Sequence, residues 1–200
     1  MNVFVDTISS PAHIIFFDEN KKILDDYSWE IKWKESSTLI PMIDRFLKKH
    51  NLAYEDLENI VVVNGPGSFT GVRTTVLVVN TINYIIKKNL VSLSYFDLFS
   101  DYPIIKSSSK RDCFIQFDHK SDIEIMKNDD ILDRLWEARV KTIYWNADLS
   151  VLWDVEEKRS SQVKIVDKVD YQSIISEIDI NVWEKNKKIE PLYIKKHNIS

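Results

Sequence analysis

The sequence predicts an α/β protein made of two strand-rich halves, the second smaller and more divergent than the first. Each half opens with short β-branched and aromatic runs and continues with segments of helical periodicity. In the first half, the continuous apolar run at residues 59–63 leads through the chain's three glycines into a long apolar helix pattern. We place the first half at residues 1–101 and the second at residues 102–200.

Three strands are predicted within residues 2–33, where apolar runs are separated by TISSP and ENKK. An amphipathic helix follows, with Ser36 or Ser37 as its N-cap and Pro41 in its first turn. The predicted apolar face of this helix consists of Leu39, Ile40, Ile43, Phe46 and Leu47. After the glycines, residues 74–88 form a second helix, LVSLS a fifth strand and YFDLFS a short capped helix. The first half therefore has the order βββαβαβα.

The second half carries weaker signals for regular structure. We interpret DYPIIKSSSKRD as a polar linker, because Pro103 and three serines interrupt any periodicity. Strands are predicted at residues 113–117, 122–126, 142–145 and 162–166, and helices at 128–139 and 170–178. The charged stretch WEKNKKIE is expected to be exposed. Strands again precede helices, which indicates a shortened echo of the first half, although no repeat is visible in the sequence.

Composition argues against several classes of function. The net charge of −4 arises from interspersed charges of both signs, so we expect no broad basic surface for nucleic acid. The single cysteine, Cys113, has no disulfide or CxxC partner, as is typical of a reducing compartment. The amino terminus lacks a basic segment followed by a long apolar one, and no run approaches the roughly 18 apolar residues of a membrane span. We expect a soluble, cytoplasmic protein without membrane partners.

The loop NGPGSFTGVR, residues 64–73, contains all three glycines of the chain. A glycine loop between a strand and a helix often directs backbone N–H groups toward an anion. A P-loop, however, requires Lys followed by Ser or Thr after its last glycine, whereas Gly71 precedes Val72 and Arg73. The dinucleotide motif GxGxxG differs in its glycine spacing. The alternative is a tight structural turn in which Thr70 caps the helix and Arg73 reaches a nearby carboxylate.

No catalytic residue and no metal ligand is predicted. The four histidines, His13, His50, His119 and His197, form no pair with metal-binding spacing. Ser68 lies outside a GxSxG nucleophile elbow, and no glycine follows Gly71 to build the second phosphate loop of a kinase-like ATPase. Asp6, Asp18 and Asp118 could form a carboxylate set for two-metal hydrolysis, but such triples arise by chance among 31 acidic residues.

The whole string GPGSFTGVR after a VVV strand resembles the motif of the TsaB (YeaZ) family of glycoprotease-like proteins. Asp6 and Thr7, at the end of the first strand, match further positions of that family. The segment LIPMIDRFL resembles the family's first helix, and Pro191 and Tyr193 in EPLYIKK match its C-terminal element. The resemblance covers residues 1–100 well, and it covers the second half only at the last two positions.

This resemblance implies a two-lobed actin/sugar-kinase/Hsp70-like fold related to ribonuclease H. It also implies a non-catalytic dimerisation subunit in the complex that installs N6-threonylcarbamoyl on the adenosine beside the anticodon of tRNA. The expected partners are a TsaD-like catalytic subunit and a TsaE-like ATPase subunit, with tRNA bound only through the complex. ATP and magnesium are expected on those partners, and no cofactor is expected on this chain alone. The family's Asp-Ala-Arg element appears here only as Asp118-His119-Lys120.

The helix after the loop is the predicted interaction element. Family members usually carry small residues there, whereas this chain has Thr75, Leu77, Val79, Thr81 and Asn83. At about 100° per residue, one apolar face, expected to cover the chain's own sheet, comprises Val78, Val79, Ile82, Ile85 and Ile86. A second patch, formed by Leu77, Thr81 and Tyr84, is the predicted partner surface. The alternative is that the second half of the same chain covers this patch.

The loop is expected to position the start of this helix through Gly65, Pro66, Gly67, Ser68, Phe69, Thr70, Gly71 and Arg73. Two other functions stay open. One is a divergent ribonuclease H-like hydrolase or phosphotransferase that uses Asp6 and Asp118. The other is a self-associating protein that forms a homodimer through the same helix.

Overall fold

The computed structural model describes residues 1–30, 35–109, 111–138, 142–146, 162–165, 169–178 and 188–194. The described residues fall into two compact units, one within Met1–Tyr95 and Asp170–Leu192, the other within Phe96–Val169 and Tyr193–Ser200. The predicted halves, 1–101 and 102–200, differ from these units mainly at residues 170–192. No helix of the described ranges is long and apolar enough to cross a membrane.

The first unit contains one five-stranded sheet with two long helices. Its elements in chain order are β1 (Asn2–Asp6), β2 (Ala12–Phe17), β3 (Ile23–Trp29), α1 (Glu35–Lys49), β4 (Asn59–Val63), α2 (Phe69–Ile86) and β5 (Asn89–Leu93). The strand order is β3-β2-β1-β4-β5, with β1 to β3 antiparallel and β1, β4 and β5 parallel. Every residue of β1 and β4 is buried, as expected for central strands covered on both faces.

The second unit repeats this arrangement in shorter elements. They are β6 (Ile104–Ser107), β7 (Asp112–Gln116), β8 (Glu124–Lys127), α3 (Ile131–Glu137), β9 (Thr142–Asn146) and β10 (Gln162–Ile165). The strand order is β10-β9-β6-β7-β8, in which β6 pairs antiparallel with β7 and parallel with β9. The first strand of each unit thus lies at the centre of its sheet, between one antiparallel and one parallel neighbour. The prediction that the second half repeats the first in shorter form is confirmed. Helix α3 has 7 residues, whereas α1, the helix at the same place in the first unit, has 15.

The interpretation of DYPIIKSSSKRD as a linker is wrong. Ile104 and Ile105 are fully buried in β6, the central strand of the second sheet. A four-residue strand buried on both faces shows no alternation of apolar and polar residues, and the flanking Pro103 and serines hid it. The strand is recognisable only through its partners on both sides.

Helix α1 packs on the sheet through most of the predicted face, because Leu39, Ile43, Phe46 and Leu47 are buried. Phe46 stacks on Phe16 with 3.6 Å between ring centroids. Ile40 is 42% exposed, so its assignment to this face is wrong. The helix begins at Glu35, which places Ser36 and Ser37 inside it rather than at the N-cap, and Pro41 is its seventh residue rather than part of its first turn.

Helix α4 (Tyr171–Glu177) belongs to the first unit although it follows the second sheet in the chain. The Tyr171 ring meets Phe4 of β1 edge-on, with 5.7 Å between centroids. The ammonium of Lys21 donates to the Ser176 carbonyl at 2.7 Å, and the Gln172 amide donates to the Lys21 carbonyl at 3.1 Å. These contacts explain why residues 170–178 depart from the predicted division of the chain.

Candidate functional site

Asp6 ends β1 as a fully buried carboxylate whose two oxygens both accept hydrogen bonds from the chain itself. Oδ1 accepts from the backbone N–H groups of Ile8 and Ser9 at 2.8 and 2.9 Å, and Oδ2 accepts from the Tyr171 hydroxyl at 2.8 Å. Burial, and then the negative charge of Asp6, raise the pKa of Tyr171. This constellation attaches α4 to the end of β1. Tyr171 carried no sequence signal for such a role.

Thr7, the next residue, connects β1 to α2. Its hydroxyl hydrogen-bonds the hydroxyl of Thr75 at 2.6 Å, and both side chains are buried. Buried hydroxyls of this kind are normally paired, since an unpaired one loses its hydration without compensation. The two family-matching positions Asp6 and Thr7 therefore tie the first strand to two different helices.

Asp118 lies in the turn between β7 and β8 of the second unit. Its Oδ1 accepts the backbone N–H groups of Lys120 at 2.8 Å and Ser121 at 3.0 Å, as in an Asx turn. Among the described residues, no group of three or more His, Cys, Asp or Glu side chains could hold a metal ion. The acidic residues considered for two-metal chemistry thus each have a local structural role.

The glycine loop uses its first two glycines for close packing. Gly65 has φ of 132°, and a Cβ on it would lie 2.6 Å from the Leu192 carbonyl oxygen. A Cβ on Gly67 would lie 2.9 Å from the Cδ1 methyl group of Ile8. The loop therefore needs glycine for a left-handed backbone at one position and for close approach at the other. Both contacts are to the protein itself.

Ser68 is the N-cap of α2, so the predicted cap at Thr70 is wrong. The Ser68 hydroxyl accepts the backbone N–H of Gly71 at 3.1 Å, and the Ser68 carbonyl accepts that of Val72 at 3.0 Å. Thr70 is exposed inside the first turn. Serine at this position satisfies one of the free N–H groups at the start of the helix.

Arg73 places its guanidinium 4.8 Å from the centre of the Phe69 ring, four residues earlier on the helix. The predicted carboxylate contact of Arg73 is wrong within the described ranges, where it forms no ion pair. Both side chains are exposed. The cation over the ring covers one side of an aromatic group on the outer surface of α2.

The C-terminal segment 188–192 docks on this loop and on α2. The backbone N–H of Leu192 donates to the Asn64 carbonyl at 2.8 Å, and the Asn64 side-chain amide donates to the Glu190 carbonyl at 2.9 Å. Asn80 donates to the carbonyl of Ile189 at 2.8 Å and accepts its N–H at 3.0 Å. Neither asparagine was predicted as a site residue. Asn80 could have been noticed as an amide within the apolar run VLVVNTI.

Exposure of the whole stretch WEKNKKIE is not what the structure shows. Ile189 is only 5% exposed, while Lys188 and Glu190 on either side of it are exposed. Residues 183–187 of the stretch lie outside the described residues. Of the family-matching positions in this segment, Pro191 is half-buried between the two backbone groups that Asn64 binds, and Tyr193 is exposed.

Helix α2 has a buried face and an exposed apolar face. The buried face comprises Gly71, Val72, Thr75, Val76, Val79, Asn83 and Ile86. The predicted sheet-facing set is therefore only partly correct: Val78 and Ile82 are half-buried and Ile85 is exposed. The exposed face includes Phe69 at 61%, Leu77 at 67%, Tyr84 at 84% and Ile85 at 69% exposure. Thr81 also lies on it and donates to the Leu77 carbonyl at 2.8 Å.

The duplicated sheet, with its first strand at the centre and its mixed strand order, defines the class of protein: a two-lobed actin-like fold. Two solved structures from Pseudomonas aeruginosa are similar to the chain. One is an uncharacterized protein with similarity to peptidase YEAZ, with a TM-score of 0.74 and 14% identity over 97% of this chain and 99% of that chain. The other is YeaZ, with a TM-score of 0.70 and 14% identity over 96% of this chain and 99% of that one.

The family model for TsaD, tRNA N6-adenosine threonylcarbamoyltransferase, matches residues 32–101. This range includes α1, β4, the glycine loop, α2 and β5. No curated protein sequence matches the chain significantly. The resemblance to the TsaB (YeaZ) family is confirmed, as is the predicted fold class, and the chain is similar to a tRNA-modification family in the segment that carries the loop.

Proposed function

We propose that the chain is a non-catalytic subunit of the complex that installs N6-threonylcarbamoyl on the adenosine beside the tRNA anticodon. It binds and activates a TsaD-like catalytic subunit. The observation that carries the proposal is the exposed apolar face of α2, which begins at the family's loop motif. The role is cytoplasmic, in keeping with the single unpaired cysteine.

The exposed face has the composition of a binding surface. Phe69, Leu77, Tyr84 and Ile85 lie on one helix and are each more than half exposed. Burying such a side chain is favourable by about 1.5–3 kcal/mol, and aromatic anchors commonly dominate interface energetics. Apolar side chains exposed together on one helix face often mark an interaction site. An amphipathic partner helix is the simplest complement to this exposed helix face.

Activation of the catalytic subunit requires that this chain contact its active conformation more favourably than its inactive one. A helix that binds the catalytic subunit more tightly in its active conformation increases the population of that conformation. In this scheme ATP and magnesium are bound by the TsaD-like and TsaE-like subunits, and tRNA is bound by the assembled complex. This chain contributes surface rather than reacting groups.

Co-purification and size-exclusion chromatography with a TsaD-like protein test the proposal. We expect a heterodimer at micromolar concentration, and Tyr84→Asp should weaken it by about 100-fold because it places a charge in the apolar contact. Ile40→Asp is the matched control, since it changes an exposed apolar residue on α1 of the same unit. Wild-type chains that fail to associate contradict the proposal.

The same variant separates a heterodimer from a homodimer. If Tyr84→Asp removes a homodimer and leaves binding to the TsaD-like protein unchanged, the assignment of α2 to that partner is wrong.

The hydrolase alternative is tested by thermal unfolding with magnesium and ATP, since a bound ligand raises the midpoint of unfolding by mass action. Both oxygens of Asp6 are already hydrogen-bonded, so we expect no shift.

A further inference from the structure

Residues 188–192, here called the strap, are held through their backbone. Four hydrogen bonds join them to the rest of the first unit. The Asn80 side chain donates to the Ile189 carbonyl and accepts the Ile189 N–H, the Asn64 side chain donates to the Glu190 carbonyl, and the Leu192 N–H donates to the Asn64 carbonyl. The carbonyl of Leu192 lies directly over Gly65, where any Cβ would be only 2.6 Å away. Recognition therefore depends on the path of the strap more than on its side chains.

The contacts lie at two separate positions along the partner-binding element. Asn64 and Gly65 precede the N-cap of α2, whereas Asn80 lies three residues after Leu77 and four before Tyr84. Residues three and four apart are neighbours on a helix surface, so the strap runs beside the exposed face. Contacts just before its start and in its fourth turn restrict rotation of the helix about its axis. The strap therefore adds to the packing of the buried face in fixing the direction in which the exposed face points.

The burial of Ile189 argues that the docking is specific. It is 5% exposed between two exposed charged residues, and Asn80 satisfies both its backbone N–H and its carbonyl. An amide side chain that pairs with both groups of one residue replaces the hydrogen bonds of a neighbouring strand. The segment thus has a defined docked position.

We propose that the strap is a positioning element for partner binding: Asn80 and Asn64 hold it against α2, and the exposed face is competent for the partner only when the strap is docked. The proposal rests on the proposed function for its partner. Its first step, that the strap orders α2, concerns this chain alone. By reciprocity, partner binding must also stabilise the docked strap.

The first experiment measures amide hydrogen exchange by NMR on the full chain without partner. Asn80→Ala should speed exchange of the Leu192 amide about tenfold, although the Asn64 carbonyl that accepts this amide is unchanged. The same substitution should also speed exchange of the Val72 amide at the start of α2. Asn64→Ala should have the same effect from the other end. Unchanged exchange at Val72 in both variants would overturn the proposal whether or not a partner binds.

The matched control is Asn83→Ala. Asn83 lies one turn further along α2 and accepts the Lys88 N–H at 2.8 Å, so the substitution also removes a side-chain to backbone hydrogen bond without touching the strap. It should leave exchange of Leu192 unchanged. Equal acceleration in Asn83→Ala and Asn80→Ala would show general weakening of the helix and overturn the proposal.

The second experiment measures affinity for the TsaD-like protein. Asn80→Ala should weaken binding about tenfold and Asn83→Ala much less, and saturating partner should slow exchange of Ile189 and Leu192 in the wild-type chain. Full affinity in Asn80→Ala with a released strap overturns the positioning role and leaves the proposed function intact. A wild-type chain that binds no partner contradicts the proposed function, while the first experiment still decides whether the strap orders α2.

Discussion

Gly65 combines two demands that only glycine meets easily. Its backbone has φ of 132°, and the carbonyl of Leu192 occupies the space of a Cβ. Gly67 is constrained only by close packing. The atom nearest to the position of a Cβ there is the terminal methyl group of Ile8, which can move. The two glycines of one motif are therefore constrained to different degrees.

We expect Gly65→Ala to lower the free energy of unfolding by about 2 kcal/mol or more, from backbone strain together with the clash with Leu192. Gly67→Ala should cost less, about 1 kcal/mol, because Ile8 can adjust. Urea denaturation of both variants measures the difference. A Gly67→Ala variant less stable than Gly65→Ala would contradict this ranking.

Tyr171 makes stability depend on pH in the alkaline range. Its pKa is raised by burial and by Asp6, so the folded chain keeps the phenolic proton while the unfolded chain loses it above roughly pH 10. The resulting stability is fully present below that pH. Above it, the contribution falls by about 1.4 kcal/mol for each pH unit.

Tyr171→Phe should therefore flatten the loss of stability above about pH 10 by up to 1.4 kcal/mol per unit. At neutral pH the same substitution should cost about 1–3 kcal/mol, since one oxygen of the buried Asp6 loses its donor. Guanidinium unfolding at several pH values measures both effects. Parallel stability curves for wild type and variant would show that Tyr171 does not titrate differently in the two states.

At the scale of elements, α2 and α1 show how helix faces are decided. The residues that α2 buries are set by what lies beneath them, and polar Thr75 and Asn83 are buried because Thr7 and the Lys88 backbone pair with them. Ile85 is exposed although it is apolar. An apolar pattern shows that a helix has neighbours, but partners for its polar groups decide which face is inside.

Pro41 is a local weakness of α1. It is exposed, and as the seventh residue of the helix it cannot donate to the carbonyl one turn earlier. Pro41→Ala should raise the free energy of unfolding by about 1–3 kcal/mol. Thermal unfolding measures the gain, with Arg45→Ala, another exposed position of the same helix, as a control that should change little. A less stable Pro41→Ala variant would show that proline is required there.

At the scale of the whole molecule, each unit has a sheet of the same topology and buried residues of its own. Ile14 lies in β2 of the first sheet and Ile105 in β6 of the second, and both are fully buried. Each therefore contributes to a different core. A substitution in each core therefore tests whether the two sheets unfold separately.

Ile14→Ala and Ile105→Ala should each lower local stability by about 2–5 kcal/mol through the lost methyl groups and the cavity. Hydrogen exchange should accelerate mainly in β1 to β5 for the first variant and mainly in β6 to β9 for the second. Equal acceleration in both sheets for either variant would show that the units unfold as one.

The sequence predicted much of the first unit because its elements are long and periodic. The continuous run at β4, the amphipathic pattern of α1 and the glycine motif each carry a local signal. The candidate site was predicted in part: Leu77, Thr81 and Tyr84 are indeed exposed, and their contact with a partner stays a prediction. The N-cap at Ser68 was missed because serine and threonine are both favourable N-cap residues. A sequence pattern locates the start of a helix only to within about two residues, so it does not distinguish Ser68 from Thr70.

The sequence by itself determined the α/β order, the glycine turn between β4 and α2, and the resemblance to TsaB-like proteins. Only the tertiary structure decided that β6 is a central strand, that α4 returns to the first unit, and that the strap lies on Gly65 and Asn80. The physical reason is the range of the interactions. Periodicity and turn chemistry act between near neighbours in the chain, whereas Asp6 with Tyr171 and Asn80 with Ile189 are hydrogen bonds across 165 and 109 residues.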